Sequence, residues 1–317
     1  MAETLVLENE IDLGAVLTQQ DPKQIRAAAQ AYEAAGFDSI WAGDHISFHV
    51  PLIESITLLA FVAAATERVR IGTSVYLLPL RHPTITAKTT AALDVVSDGR
   101  FQFGVGVGGE FPPEFAAVGV PVKERGARAN EAIEIIRKLW TGEKVSHEGK
   151  HFSFGPVALA PKPVQENGPP IIIGGRKPPA FRRAGRLGDG YVSHMCSPEM
   201  FRDNLATIRG HAEKAGRQNT PFKTTTFIFT ILGDDYDKCH ESAAGLLKMI
   251  YNVDFDEAAH KYCLLGRPED CLQQMQRFVD AGSRGFILSP LMAADEFLTR
   301  ATTELLPAAR NLKIPSP

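Results

Sequence analysis

The clearest candidates for chemistry in this 317-residue chain are Asp44 and His45, which stand side by side in "WAGDHISFH". Histidine titrates near neutral pH, so its imidazole can move a proton to or from a substrate hydroxyl or carbonyl. We expect Asp44 to orient this imidazole and to stabilise its positive charge. The pair predicts that His45 is a catalytic acid or base; the alternative is a structural loop histidine bonded to backbone.

A glycine-rich stretch, "FGVGVGGEFPPEF", contains a literal G-x-G-x-x-G at Gly104, Gly106 and Gly109. In a dinucleotide-binding fold the last glycine opens a helix directly, and the motif lies in the first βα unit. Here Pro112 and Pro113 follow, and three βα units come first. The dinucleotide interpretation therefore fails. The glycines instead end a strand where a flat ring or a phosphate can approach the backbone, unless they only fit a crowded interior.

We predict cofactor contacts at Gly106, Val107 and Gly108 of this stretch. Glu110 follows directly, and its carboxylate is expected to act as a second acid or base. Arg125 is expected to cap and solvate the helix that follows.

A second glycine pair, Gly174 and Gly175, ends the run "IIIGGRKPPAFRR". These glycines leave backbone amides free, and a helix that begins near Pro178 points its positive end toward the same place. Arg176 adds a cation. The stretch predicts a phosphate-binding site, whereas most of Arg182, Arg183 and Arg186 are expected to form a solvated helix face.

The sequence predicts neither a metal site nor a disulfide. His49 lies four residues after His45, but the segment has no H-E-x-x-H pattern and no evident third ligand. The four cysteines, none of them in a C-x-x-C pattern, are expected to be reduced, partly buried thiols. They are Cys196, Cys239, Cys263 and Cys271.

These residues must be positioned by eight β-rich runs that alternate with segments of helical periodicity. The runs are "IDLGAVL", "DSIWAGD", "VRIGTSVYLL", "RFQFGVGVG", "PPIIIGG", "DGYVSH", "FKTTTFIFTIL" and "RGFILSP". The pattern predicts an α/β fold, a single (β/α)8 TIM barrel over residues 1–317, rather than a doubly wound open sheet. Insertions are expected at about 141–170, as a β-hairpin, and at 233–267, with added helices.

Composition narrows the class of partner. The formal net charge is −3, with 34 Lys and Arg against 37 Asp and Glu, so no global field attracts nucleic acid or an anionic membrane. The first residues lack the basic start and apolar core of a signal peptide. We therefore expect a cytoplasmic protein that acts on a small molecule.

Four stretches of the chain, at 43–49, 68–100, 100–140 and 169–194, resemble in the same order the bacterial-luciferase-like superfamily of barrel oxidoreductases. The likeness is greatest to the oxidoreductases that use the deazaflavin coenzyme F420. It implies an Asp-His pair in the cofactor pocket. It also implies a cis peptide bond between Ser74 and Val75 whose bulge backs the coenzyme ring, and a homodimer, for which "LLAFVAAA" at 58–65 is a candidate surface.

Bacterial luciferase carries an arginine in the glycine loop after strand four, and "GVGG" has no cation there. This difference favours F420 over FMN and predicts hydride transfer between F420 and a small organic substrate. The alternative within this class is an FMNH2-dependent monooxygenase. Alternatives of other classes are a metal-dependent barrel hydrolase and a non-catalytic cofactor-binding protein.

Overall fold

Eight parallel strands form the centre of the structure, a computed structural model that describes residues 5–315. They are β1 (Asp12–Val16), β2 (Ser39–Ala42), β3 (Arg70–Thr73), β4 (Phe101–Gly106), β5 (Ile171–Gly174), β6 (Gly190–Ser193), β7 (Thr220–Leu232) and β8 (Gly285–Pro290). Each strand pairs with the next, and β8 pairs with both β7 and β1, so the sheet closes. Each predicted run coincides with one of these strands, although β7 begins two residues before its run, at Thr220. The predicted barrel is confirmed.

Helices surround the barrel. They are α1 (Pro22–Ala34), α2 (Ser55–Ala65), α3 (Pro83–Val96), α4 (Pro112–Ala117), α5 (Arg125–Trp140), α6 (Pro178–Leu187), α7 (Pro198–Lys214), α8 (Tyr236–Tyr251), α9 (Asp256–Tyr262), α10 (Pro268–Asp280), α11 (Ala294–Arg300) and α12 (Leu306–Ala309). The start of α1 shows how local sequence sets these limits. The Asp21 side chain accepts hydrogen bonds from the Lys23 and Gln24 amides, and a proline occupies the first turn.

The barrel interior is filled by the side chain of Trp41 on β2, which is 2% exposed. Its indole lies against Gly72 of β3, where an added Cβ would overlap the ring. Gly14 of β1 makes room on the other side, since a Cβ there would lie 2.6 Å from the Trp41 Nε1 atom. The indole N–H donates to Ser39 Oγ at 2.8 Å. The lumen is thus a packed core, and any ligand site must lie at one of its ends.

The two predicted insertions form distinct additions. In the first, Val145–Glu148 pairs antiparallel with Ser153–Val157, which is the expected hairpin. This hairpin lies along α5, where the Glu131 carboxylate accepts hydrogen bonds from the His151 and Phe152 amides. The second insertion contributes α8, α9 and the short strand Leu264–Gly266, which extends the sheet beside β7.

The amino ends of the strands are held by ion pairs. Arg70 contacts Asp12 at 2.6 Å and Arg310 contacts Asp38 at 2.7 Å, around an open cavity of about 710 Å³. In α/β barrels this end contributes to stability, and chemistry takes place at the carboxyl end. All four cysteines are buried, more completely than the partly buried thiols that were expected, and within residues 5–315 none is bonded to another.

Candidate active site

His45 lies just beyond the carboxyl end of β2, and a buried carboxylate faces it. Its Nδ1 is 3.2 Å from both side-chain oxygens of Glu114, which belongs to α4 and is 0% exposed. The same carboxylate accepts the Ile46 amide at 3.2 Å. Because a carboxylate only accepts, a neutral His45 imidazole placed in this way donates from Nδ1 to Glu114 and presents the Nε2 lone pair on its other side. The Phe48 ring stacks on the imidazole at 4.0 Å.

The expectation that Asp44 orients His45 is wrong, because both Asp44 oxygens bind other groups. Arg81 makes a two-pronged ion pair with this carboxylate, at 2.5 and 2.8 Å. The Leu77 amide donates to it at 2.9 Å and the Ser55 hydroxyl at 3.2 Å. Asp44 is 4% exposed and joins the loop after β2 to the segment after β3. It holds the framework beneath the site.

Among residues 5–315, Glu110 makes no hydrogen bond or ion pair with this histidine. Its side chain is 65% exposed and lies 3.5 Å from Arg176 Nη2. The acid that meets the imidazole is therefore four residues further along, at Glu114. The sequence does not indicate which of the two acids, Glu110 or Glu114, lies beside His45. The helix α4 turns back over the mouth after the glycine loop, and this turn places Glu114 inside and leaves Glu110 in solvent.

The Ser74–Val75 peptide bond is cis, as the family resemblance implies. The Val75 side chain points between β4 and β5. A Cβ at Gly174 would lie 2.6 Å from Val75 Cγ1, and a Cβ at Gly106 would overlap Val75 Cγ2. Gly106 and Gly174 thus admit the Val75 side chain, which provides an apolar floor at this side of the mouth. The two glycines thus pack against Val75, and a direct coenzyme contact by either of them stays a prediction.

The rim above this floor is made of backbone. Gly108, Gly109 and Gly175 have φ values of +57°, +114° and +148°, which favour glycine. Within residues 5–315 their amides donate no hydrogen bond to another backbone group. Val107 lies between the floor and this rim and is half-buried. Free amides on two adjacent loops form a cradle that suits a phosphate.

Cations lie near this cradle. Arg176 is exposed at the start of the β5–α6 loop, and α6 begins two residues later at Pro178. Arg125, expected to be solvated, instead packs on the glycine loop: a Cβ at Gly109 would lie 2.8 Å from Arg125 Nε. The cation absent from the sequence of the loop is thus brought beside it by α5.

One member of the expected solvated helix face is buried. Arg183 is 6% exposed, donates to Asn130 Oδ1 at 2.6 Å and to the Gly126 carbonyl at 3.0 Å, and so joins α6 to α5. Burial, with Arg182 nearby, lowers its pKa to about 10. Arg182 and Arg186 are exposed, as predicted.

His194, which the sequence analysis did not single out, follows β6 at the same end of the barrel. Its ring packs edge-on against Phe227 at 5.2 Å and Phe229 at 5.6 Å. Burial, with a smaller contribution from Arg176, lowers its pKa to about 4, so the ring is neutral at physiological pH. The sequence feature that could have identified His194 is its position directly after a predicted strand. Nothing in "YVSH" indicates which rings surround it.

His49 is exposed, and its ring contacts Phe111 at a centroid distance of 4.9 Å. Among residues 5–315, no group of three or more histidine, cysteine or acidic side chains is placed to hold a metal ion. In the same range, no helix has the length and apolar character needed to cross a membrane. The candidate dimer helix α2 buries Leu58, Leu59 and Val62 within its own chain.

Together these features define a class of protein: an α/β barrel whose carboxyl end combines an apolar floor, an amide-lined cradle and a carboxylate-paired histidine. The chain belongs to the luciferase-like monooxygenase family, whose pattern matches residues 4–288. The resemblance noted in the sequence is thereby confirmed.

Full-length relatives carry F420 in their names. The F420-dependent glucose-6-phosphate dehydrogenase of Nakamurella multipartita is 28% identical, over 93% of this chain and 94% of the relative. The enzyme of the same name from Microbacterium testaceum is 29% identical, over 92% and 95%.

Solved structures share the fold. An F420-dependent secondary alcohol dehydrogenase in complex with an F420–acetone adduct matches with a TM-score of 0.85 at 23% identity, over 95% of this chain and 99% of that one. The coenzyme F420-dependent tetrahydromethanopterin reductase of Methanopyrus kandleri matches with a TM-score of 0.80 at 20% identity, over 96% and 100%.

Proposed function

We propose that this protein is an F420-dependent oxidoreductase that exchanges a hydride with a small organic substrate. The observation that carries the proposal is the carboxyl end of the barrel, where the Val75 floor and the glycine cradle lie beside a histidine with a free Nε2. The names of full-length relatives support F420 as the coenzyme.

The residues fit the parts of this coenzyme. A flat ring requires an apolar surface, and the half-buried Val75 side chain, admitted by Gly106 and Gly174, supplies one. The phosphate of its tail requires donors, which the Gly108 and Gly175 amides and the Arg176 guanidinium supply. When bound, the deazaflavin contributes a ring carbon that accepts or gives a hydride.

The protein's own part is to handle the proton and to orient the substrate. In the oxidative direction the substrate hydroxyl gives its proton to His45 Nε2 while the carbinol carbon loses its hydride. Glu114, on the opposite nitrogen, stabilises the imidazolium that forms. Reduction of a carbonyl uses the same groups in reverse. We assign His45 as the acid or base and Glu114 as its orienting residue.

Asp44 and Arg81 position the site and take no part in the proton transfer. Their pair holds the Leu77 amide and so positions the segment that carries Val75. A homodimer, a cytoplasmic location and a cofactor contact by Ser74 stay predictions.

Titration of the purified protein with oxidised F420 and with FMN, followed by fluorescence, tests the proposal. We expect F420 to bind at least about tenfold more tightly than FMN, a difference of about 1.4 kcal/mol. Tighter binding of FMN, together with oxygen consumption by the reduced FMN complex, would instead establish the monooxygenase alternative. Failure to bind either would refute the proposed function.

A further inference from the structure

The carboxyl end of the barrel has two chemically different halves. The half at β3, β4 and β5 carries the Val75 floor and the free glycine amides. The half at β6, β7 and β2 carries aromatic rings. If the proposed function holds, the coenzyme occupies the first half, and the second half is left to contact the substrate.

The aromatic half is a continuous series of five rings, which we call the aromatic arc: His45, Phe48, Tyr251, Phe229 and His194. Successive ring centroids are 4.0, 6.1, 6.3 and 5.6 Å apart. These spacings are those of packed aromatic pairs. The arc joins β2 to β6, which lie four strands apart in an eight-stranded barrel. Tyr251, from the end of α8 in the second insertion, closes the gap between them.

Two rings at the far side of the arc from His45 are uncharged. Burial lowers the pKa of His194 to about 4 and, with Glu110, raises the pKa of Tyr251 to about 12, so both rings are neutral near pH 7. Nearby cations already have a role. Arg81 is paired with Asp44. Arg176 lies close enough to His194 and Tyr251 to lower the pKa of both, and it is assigned above to the phosphate of the coenzyme.

Two residues of the arc have polar atoms without a protein partner. Within residues 5–315, neither the Tyr251 hydroxyl nor either ring nitrogen of His194 makes a hydrogen bond, and their rings pack against other aromatic rings. A surface of this kind binds an apolar body and one or two neutral polar groups. A phosphate monoester would need unpaired cations, which the arc does not supply.

Resting on the proposed function, we infer that the substrate is an uncharged alcohol, or the matching ketone or aldehyde, with an aromatic or cyclic hydrocarbon group that packs on the aromatic arc. In its oxidation the carbinol C–H bond breaks and both electrons leave with the hydrogen to the deazaflavin. The hydroxyl proton goes to His45, and the carbon–oxygen double bond forms. The alcohol is oxidised and the coenzyme is reduced.

Equilibrium binding to the F420-loaded protein tests this inference without requiring turnover. We expect acetophenone to bind at least about tenfold more tightly than glucose 6-phosphate, whose charge the arc cannot match. Equal or tighter binding of glucose 6-phosphate, or no binding of acetophenone, overturns the inference. Failure of F420 itself to bind refutes the proposed function instead, so the two failures are distinguishable.

A substitution locates the site. Tyr251→Ala should weaken acetophenone binding about five- to tenfold, while the Kd for F420 stays within about twofold. Phe229 is 6% exposed and packs in the core beneath α8, so it supports the arc from behind. Tyr236→Ala, at the opposite end of α8 and 40% exposed, is the matched control and should change neither value. Unchanged acetophenone binding in Tyr251→Ala would contradict the assignment.

Discussion

The two nitrogens of His45 have different surroundings, and this difference sets its chemistry. Nδ1 faces the fully buried Glu114, which also holds the Ile46 amide, whereas Nε2 is left for a ligand. The Glu114 carboxylate thereby favours the neutral tautomer that donates from Nδ1. Phe48, stacked at 4.0 Å, fixes the plane of the ring as well.

Removing either member of this pair should lower turnover without releasing the coenzyme. We expect His45→Ala to reduce kcat about 10²- to 10⁴-fold, the usual contribution of a positioned acid or base. Glu114→Gln keeps the shape but removes the charge that stabilises the imidazolium, so kcat should fall about tenfold or more. Steady-state kinetics, with the Kd for F420 measured alongside, checks both.

Glu110→Gln is the matched control, because this acid is 65% exposed and faces Arg176. Its kcat should stay within about twofold of wild type. Equal losses in the Glu110 and Glu114 variants would show that the imidazole does not depend on its buried partner.

Sequence reasoning reached some of these residues and missed others for a physical reason. His45 was predictable because histidine is a rare acid or base that follows a strand directly. Glu114 was not, because its role depends on a turn of α4 that no local pattern specifies. The choice between Asp44 and Glu114 as the partner of His45 depended on where Arg81 lies, 37 residues away from Asp44 in the chain.

Between elements, the Asp44–Arg81 pair connects the loop after β2 to the segment after β3. Asp44 is almost fully buried, and Arg81 also lies over the Tyr76 ring at 4.4 Å. Removing one partner of such a pair leaves an uncompensated buried charge.

Arg81→Ala should therefore lower the free energy of unfolding by about 3–5 kcal/mol, the usual cost of breaking a buried ion pair. Chemical denaturation measures it. Arg186→Ala on the exposed face of α6 is the control and should change the stability by less than about 0.5 kcal/mol. A loss below about 1 kcal/mol for Arg81→Ala would mean that this pair contributes no more to stability than an exposed ion pair does.

The apolar floor formed by Val75 requires that Gly106 and Gly174 have no side chain. Gly174→Ala would bring a Cβ to 2.6 Å from Val75 Cγ1, so Val75 must move. We expect the variant to lose about 1–3 kcal/mol of stability, as overpacked cores do, and to bind F420 less tightly. Gly210→Ala in α7, where no atom lies within 4 Å of the added Cβ, should leave coenzyme affinity unchanged. Wild-type affinity in Gly174→Ala would remove the Val75 floor from the coenzyme site.

At the scale of the whole molecule, the eightfold alternation was readable because buried parallel strands are continuous apolar runs separated by helical periodicity. The closure of β8 on β1 follows from that count. The aromatic arc was not readable from the sequence. Its five rings come from the segments after β2 and β6, from β7 and from the end of α8, and only the closed barrel brings them together.

Closure also buries His194 as a neutral base, and this gives stability a dependence on pH. Its pKa is about 4 in the folded protein and about 6.5 when unfolded, so between these values the unfolded chain binds more protons. The contribution of this residue is therefore complete above pH 6.5 and is lost as the pH falls toward 4. For a half-buried ring the loss should be about 1–3 kcal/mol.

The His194→Phe variant isolates this contribution, because a phenyl ring suits the Phe227 and Phe229 neighbours and does not titrate. Denaturation of both proteins from pH 7 to pH 4 should show wild type losing stability relative to the variant as the pH falls. Carboxylates shared by the two proteins cancel in this difference. Parallel curves over the whole range would mean that His194 takes up its proton in the folded barrel as readily as in the unfolded chain. The aromatic arc would then lose the neutral His194 ring on which the inference of an uncharged substrate depends.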